Sequence, residues 1–238
     1  MRSRFEFNPH GRVRKPLSPD HPAVTAGESL YPTRVYPASA LDRILVPGES
    51  NPKIGGQWQR GWNGIRIFTL SLPERTTCPR TCVQWQNCYG NNQRWTVRVK
   101  PDQELIPRLD TELDLLATRF ERLSVRLHNL GDFFSVEYAE FWIEQVRTRP
   151  GLHCFGFTAR PRASRIGRVI EEASRGWDRF RIRFSGDPGE RSAMVMDDPP
   201  PGQHDAGITC WAQTGEARKC ESCGLCLTTR QPIVFKRH

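Results

Sequence analysis

The feature that most constrains the fold is a regular alternation of strand-like and helix-like segments. Short segments in which every second residue, or every residue, is apolar predict β-strands. Such segments lie at 64–72, 124–130, 152–159, 179–185 and 192–197. Helical spacing of apolar residues separates the first four of them, with Ser135 as the cap of the second helix and Gly176 as the stop of the third. Strands joined by single helices pair in parallel through right-handed crossovers, so the sequence predicts an α/β fold.

Length limits how that fold can close. With 238 residues the chain is short for an eight-fold barrel, which typically needs about 250. We predict three segments: a proline-rich extended arm at 1–60, an α/β barrel segment at 61–205, and a cysteine-rich metal-binding tail at 206–238. The middle segment has room for a partial (βα)5-6 barrel of parallel strands, with functional residues on loops at the carboxyl ends of the strands.

Composition and charge restrict the compartment and the partners. No segment approaches the roughly 18 consecutive apolar residues of a membrane span, and the basic segment 1–15 has no apolar core. We therefore expect no membrane association, no secretory signal and a reducing cytoplasm, where cysteines are metal ligands or reactive thiols rather than disulfides. The net charge of +9, mostly from arginine, indicates a nucleic-acid or nucleotide partner or else a biased genome composition.

Seven of the eight cysteines fall into two groups. The first cysteine group is Cys78, Cys82 and Cys88; the second is Cys210, Cys220, Cys223 and Cys226. Three thiolates without an obvious fourth ligand suit a 4Fe–4S cluster that leaves one iron open, although structural zinc is the alternative. Four thiolates form a complete set for either a second 4Fe–4S cluster or zinc. Cys154 lies inside a strand and is expected to fill the core.

This layout resembles the radical S-adenosylmethionine superfamily, in which a three-cysteine loop follows the first strand. The second spacing here is five residues rather than the usual two, and Asn87 stands where an aromatic usually precedes the last cysteine. The resemblance implies a cluster that binds S-adenosylmethionine at its open iron, and an electron donor. The segment "HNLGDFFS" matches the superfamily's glycine-rich acidic motif. Residues expected at the cofactor are Tyr89, Asn129, Gly131, Asp132 and Ser185, the last from its place at a strand end.

A closer resemblance is to a group of phage-encoded proteins with the same succession of motifs. The matching pieces run from about residue 51 to the end, and they are "NPKIG", "SLPERTTCP", "CYG", "VRLHNLGDFFSVEYAEFW", "FGFTARP" and "KCESCGLC…IVFKRH". This resemblance implies the cytoplasm of a bacterial host. It adds nothing about the substrate.

Three functions are consistent with these features. The first is an iron–sulfur enzyme that cleaves S-adenosylmethionine reductively and acts on an unknown substrate, for which the charge and the phage resemblance suggest a nucleotide or a nucleic-acid base. The second is a zinc-stabilised nucleic-acid-binding phage protein without catalysis. A chain that keeps its clusters only for folding and binds another phage protein is a third reading.

Overall fold

The predicted strands lie side by side in one sheet, which has nine strands within the described part of the chain. The computed structural model describes residues 16–237. Segment 1–15, in which we expect no secretory signal and which begins the predicted arm, lies outside the described residues. No helix within residues 16–237 is long and apolar enough to cross a bilayer.

The strands and helices have the following bounds. The strands are β1 Val35–Tyr36, β2 Val46–Pro47, β3 Arg66–Ser71, β4 Arg98–Val99, β5 Leu123–Leu130, β6 Leu152–Thr158, β7 Phe180–Ser185, β8 Ser192–Met196, β9 Gln203–His204, β10 Gly207–Thr209 and β11 Ile233–Lys236. The α-helices are α1 Pro22–Ala26, α2 Leu105–Ala117, α3 Val136–Thr148, α4 Arg165–Ser174, α5 Trp211–Thr214, α6 Cys220–Cys223 and α7 Leu225–Thr228. Short 3-10 turns lie at Pro32–Arg34, Ala38–Ala40, Gly48–Ser50 and Tyr89–Asn92.

The sheet is mostly parallel and open. Its order is β2-β3-β5-β6-β7-β8-β11-β10-β9, and every neighbouring pair from β3 to β10 is parallel. The two edge strands, β2 and β9, run antiparallel to their neighbours. Because β2 covers the edge of β3 at which a barrel would begin to close, the sheet does not close. The predicted partial barrel is therefore not confirmed, and the fold is a mixed α/β fold.

The helices α2, α3 and α4 cover one face of the sheet, as their spacing predicts. Ser135 begins α3, and its hydroxyl accepts a hydrogen bond from the backbone N–H of Tyr138 at 3.1 Å. The end of α4 differs from the prediction: the helix ends before Gly176, and Trp177 is the residue with a left-handed backbone, at φ 54°. Cys154 is fully buried against these helices, so its assignment to the core is confirmed.

The opposite face of the sheet is covered by chain segments from both sides of β3–β8. Trp58 and Trp62 pack there with Phe155 of β6 and Leu227 of α7. The Trp58 indole N–H donates to the Ser124 hydroxyl at 3.0 Å, which fixes the ring on the sheet. Strands from all three predicted segments, 1–60, 61–205 and 206–238, share this one sheet.

The second cysteine group lies in the connection between two parallel strands. Helices α5, α6 and α7 connect β10 to β11, and β11 inserts between β8 and β10 and pairs with both. The chain must therefore cross the face of the sheet between these strands. The cysteines of the second group are distributed along this crossing segment.

Arg183 attaches the crossing segment to the sheet. Its side chain is 1% exposed on β7 and donates hydrogen bonds to three backbone carbonyl oxygens of the segment. These belong to Cys226 at 3.2 Å, Gln231 at 2.8 Å and Thr229. A planar fork with five N–H donors suits this position, because the loop carbonyls have no partners in a sheet or a long helix.

We expect Arg183→Met to lower the free energy of unfolding by about 3 kcal/mol, because it leaves buried carbonyl oxygens without donors. The measurement is urea unfolding followed by circular dichroism. The matched control is Arg175→Met. The Arg175 side chain is 70% exposed in an ion pair with Glu172, so the change should be below about 0.5 kcal/mol. Equal stability of the two variants would contradict the anchoring role of Arg183.

Candidate functional site

A cavity of about 280 Å³ lies at the carboxyl ends of the parallel strands and extends onto the face opposite α2–α4. In open parallel sheets this edge is the usual place for a ligand site, because the loops that follow neighbouring strands meet there. Six of the seven predicted metal-binding cysteines line it: Cys78, Cys82, Cys88, Cys210, Cys220 and Cys226. The fold thus brings two groups that are far apart in sequence to one cavity.

The first cysteine group lies in the loop after β3, wrapped around a buried arginine. Arg75 is 2% exposed, and its side chain donates to the Trp85 carbonyl at 3.0 Å and to Asn91 Oδ1 at 2.7 Å. Tight turns set the cysteine backbones: the Cys78 N–H donates to the Arg75 carbonyl at 3.1 Å, and the Cys82 N–H to the Pro79 carbonyl at 3.0 Å. Side-chain and turn hydrogen bonds therefore shape a loop that has little regular structure.

The second cysteine group is held by the segment that precedes β3. The Cys220 N–H donates to the Lys53 carbonyl at 2.8 Å, and the Glu221 carboxylate accepts from the Gly56 N–H at 2.7 Å. Gly55 has φ 89°, and a Cβ there would overlap the Glu221 carboxylate, so this position needs glycine. Cys223 does not line the cavity, although its thiol interacts electrostatically with those of Cys210, Cys220 and Cys226.

Burial makes these thiols poor acids when no cation is present. It raises the pKa of Cys88 and of Cys220 to about 12, and it raises the pKa of Cys78 well above its ordinary value. The negative charges of the neighbouring groups Asp132, Cys88 and Cys82 raise the pKa of Cys78 further. A bound metal reverses this effect, because a coordinating thiol loses its proton outright.

The residues expected at the cofactor line the same cavity, namely Tyr89, Asn129, Gly131, Asp132 and Ser185. Gly131 has φ 83°, and a Cβ there would lie 2.6 Å from the Thr77 hydroxyl oxygen and 2.7 Å from Cβ of Leu72. Glycine therefore allows the cysteine loop to approach the end of β5. The Asn129 side-chain oxygen accepts from the Asn51 amide at 3.2 Å.

Asp132 forms hydrogen bonds to several chain segments at the carboxyl edge of the sheet. Its Oδ1 accepts from the Phe133 N–H and the Thr158 hydroxyl, both at 2.7 Å, and its Oδ2 accepts from the Ala159 N–H at 2.7 Å. The carboxylate thereby joins the ends of β5 and β6, and burial raises its pKa to about 6. The Asp132 N–H donates in turn to the Thr77 hydroxyl at 3.1 Å, which joins the cysteine loop to the same point.

The structure also reveals residues that sequence reasoning did not assign to the site. Arg126 of β5 and Lys53 line the cavity, and both lower the pKa of Cys220 by their positive charge. A basic residue within the apolar strand segment 124–130 was the available signal for Arg126. Nothing in the sequence separated Lys53 from an ordinary loop cation.

His128 lines the cavity as well and is 4% exposed. Its Nε2 forms a hydrogen bond of 2.9 Å with the Tyr138 hydroxyl, and burial lowers the pKa of the imidazole to about 3. The ring is therefore neutral at physiological pH.

Neither cysteine group has its side chains arranged to bind a single metal ion. Within residues 16–237, no three His, Cys, Asp or Glu side chains lie close enough together to hold one metal ion. This result concerns single ions alone, since a four-iron cluster binds its ligands at four different iron atoms.

We expect Asp132→Ala to lower the free energy of unfolding by about 3 kcal/mol, because two buried donors and one half-buried donor lose their acceptor. Urea unfolding of the apo chain measures this change. Asp198→Ala is the matched control, because the Asp198 side chain is 92% exposed beside Lys236 and its loss should cost below about 0.5 kcal/mol. A change below this value in Asp132→Ala would contradict the role assigned to the carboxylate.

Comparison with known proteins gives a match to a protein family. No curated protein and no solved structure matches the chain. The model of a phage-type family described as Gene product 88 matches residues 45–229. This range includes every strand of the nine-stranded sheet except β11, together with both cysteine groups. The chain therefore belongs to the Gene product 88 family.

Proposed function

We propose that the chain is an iron–sulfur enzyme of the radical S-adenosylmethionine type, acting on a nucleotide or a nucleic-acid base. The observation that carries the proposal is one cavity lined by all three thiols of the first cysteine group and by all five residues expected at the cofactor. Three soft donors on one short loop suit a 4Fe–4S cluster with one iron left without a protein ligand. Cys78, Cys82 and Cys88 would hold this cluster, which would supply radical chemistry through one-electron reductive cleavage of S-adenosylmethionine, with an external donor providing the electron.

The nearest carboxylates are occupied by other groups, which supports a set of three protein ligands. Asp132 and Glu74 are the carboxylates whose charges raise the pKa of the first-group thiols. Asp132 accepts three hydrogen bonds from the chain itself. Glu74 is 1% exposed and pairs with Arg98 at 2.6 Å, and it also accepts from the Ser29 hydroxyl at 3.0 Å. Neither carboxylate is free to become a fourth ligand without breaking a buried network.

At this site the chain itself positions the thiols and the ends of the strands around one cavity. Asp132 and Gly131 bring the ends of β5 and β6 against the cysteine loop, so that the thiols and the strand ends face the same space. Tyr89 follows Cys88 directly in the chain, and Ser185 lies at the end of β7; both line the cavity. The inner walls of the cavity include the buried residues His128, Asp132 and Cys210, which limit contact of this part of the cavity with bulk water.

We propose that the second cysteine group holds an auxiliary 4Fe–4S cluster. Zinc is the alternative, and it would require the thiols to move closer together, because no three of them lie within reach of one ion in residues 16–237. Four thiols complete its ligand set, and the positive charges of Lys53, Arg126 and Arg183 act on it. A four-thiolate centre is anionic whichever metal it holds, so these cations favour a loaded site in either case.

One surface observation favours the second candidate function, nucleic-acid binding by a zinc-stabilised protein. The Trp95 side chain is 74% exposed, and the Arg94 guanidinium lies 5.0 Å from the centroid of its ring. Such a pair can stack on a nucleic-acid base. Steep dependence of nucleic-acid affinity on salt, together with zinc in both groups, would support this function over the first.

Metal analysis of oxygen-protected protein decides between the two functions. We expect iron and sulfide, with about four irons lost in Cys82→Ser and about four lost separately in Cys223→Ser. Cys154→Ser is the matched control and should retain all of them, because Cys154 faces the helices α2–α4. Roughly two zinc ions and no iron would contradict the proposal.

Cofactor cleavage tests the chemistry. With a strong reductant and S-adenosylmethionine, we expect the reconstituted wild type and Cys154→Ser to form 5′-deoxyadenosine and Cys82→Ser to form none. Chromatography of the quenched reaction measures the product. If the wild type contains the first cluster and still forms no 5′-deoxyadenosine, the proposed cleavage of S-adenosylmethionine at this cluster is contradicted.

A further inference from the structure

We infer that the cavity between the two cysteine groups binds an oxyanion of the substrate, a phosphate or a carboxylate, through the guanidinium of Arg126. The inference deepens the proposed function and rests on it for the ligand's identity as substrate. Arg126 lies in β5, where Val125 and Leu127 on either side both pack against α2–α4. Side chains alternate along a strand, so Arg126 projects to the opposite face, where it lines the cavity.

Arg126 has no acceptor of its own in the part of the chain that the structure describes. Its Nε is buried without a hydrogen-bond partner, and its side chain forms no ion pair with residues 16–237. The guanidinium lies 5.0 Å from the centroid of the Phe157 ring and 5.9 Å from that of Phe155. Aromatic faces attract the cation but do not replace hydrogen-bond acceptors. The N–H donors of the Arg126 guanidinium are therefore available to a ligand.

Other buried or half-buried arginines of this protein have acceptors within the chain. Arg98 pairs with Glu74, and Arg183 donates to loop carbonyls. Arg160 donates to the Phe133 and Thr77 carbonyls, both at 2.7 Å. Buried donors in folded proteins nearly always have partners. An arginine that lacks one and faces a cavity therefore indicates an acceptor that comes from solution.

Charge and geometry specify the acceptor. Lys53 lies on the same cavity, with its Nζ 5.4 Å from the centroid of the Phe235 ring, and adds positive charge near Arg126. A planar guanidinium binds two oxygens of a phosphate or carboxylate in parallel. The competing role for Arg126 is to balance the thiolate charges of Cys220 and Cys226, and the experiment must separate the two.

Chemical footprinting of the unaltered, metal-loaded chain tests the inference without a variant. Phenylglyoxal modifies accessible guanidinium groups, and peptide mass spectrometry gives the rate at each arginine. We expect inorganic phosphate or acetate to slow the modification of Arg126 by about tenfold. Arg147 is the control in the same sample, because its side chain is 71% exposed on α3 and should react at an unchanged rate. Protection by phosphate alone or acetate alone identifies the oxyanion class.

No protection of Arg126 by either anion, or no reaction of Arg126 in their absence, would overturn the inference. Calorimetric titration of the protecting anion then provides a second measurement. We expect Arg126→Met to weaken the affinity about tenfold or more and Arg147→Met to leave it unchanged. Equal affinity in Arg126→Met and wild type would also overturn the inference.

The outcomes separate this inference from the proposed function. Iron content, cluster absorption near about 400 nm and 5′-deoxyadenosine formation report on the clusters. Protection of Arg126 in a chain that contains zinc would support the oxyanion site and reject the radical chemistry. Metal loss in Arg126→Met combined with no anion protection in the wild type would assign Arg126 to charge balance and reject the oxyanion site.

Discussion

Parallel pairing is the constraint on which the site depends. From β3 to β10 every neighbouring pair in the sheet runs the same way, so the loops that follow these strands leave at one edge. The first cysteine group follows β3, Asp132 follows β5, and Ser185 ends β7. These residues are far apart in sequence, and strand direction brings them together. A sheet with one reversed strand in this series would send one of these loops to the opposite edge.

Much of this arrangement could be predicted from periodicity. The strands β3, β5, β6, β7 and β8 and the helices between the first four of them have clear apolar patterns, because each buries one side or both sides in the core. The short strands β2, β9 and β10 contain too few residues to show a pattern. The segment "IVFK" of β11 gave no sign that it would insert between two earlier strands, since pairing partners are set by tertiary contacts.

Site residues of rare or clustered types could be predicted from the sequence, whereas site residues of common types could not. Clustered cysteines and the segment "HNLGDFFS" stand out in any sequence, and the structure brings them to one cavity. Arg126 and Lys53 are common residue types, and their significance comes from burial and from what surrounds them. The arginine-rich composition had suggested a phosphate partner or a biased genome. The structure adds a third reason, because Arg75, Arg98 and Arg183 each satisfy loop carbonyls.

The insertion of β11 has a consequence for how the protein is made. Strands β8 and β10 cannot pair with each other in the native sheet, because β11 lies between them and is synthesised after both. Until β11 is in place, β10 and β9 have no attachment to β8 through the sheet. The cysteines of the crossing segment emerge before the strand that closes their connection. The connection that carries the second cysteine group is therefore closed only after β11 has been made, whereas the loop of Cys78, Cys82 and Cys88 lies between strands that precede it in the chain.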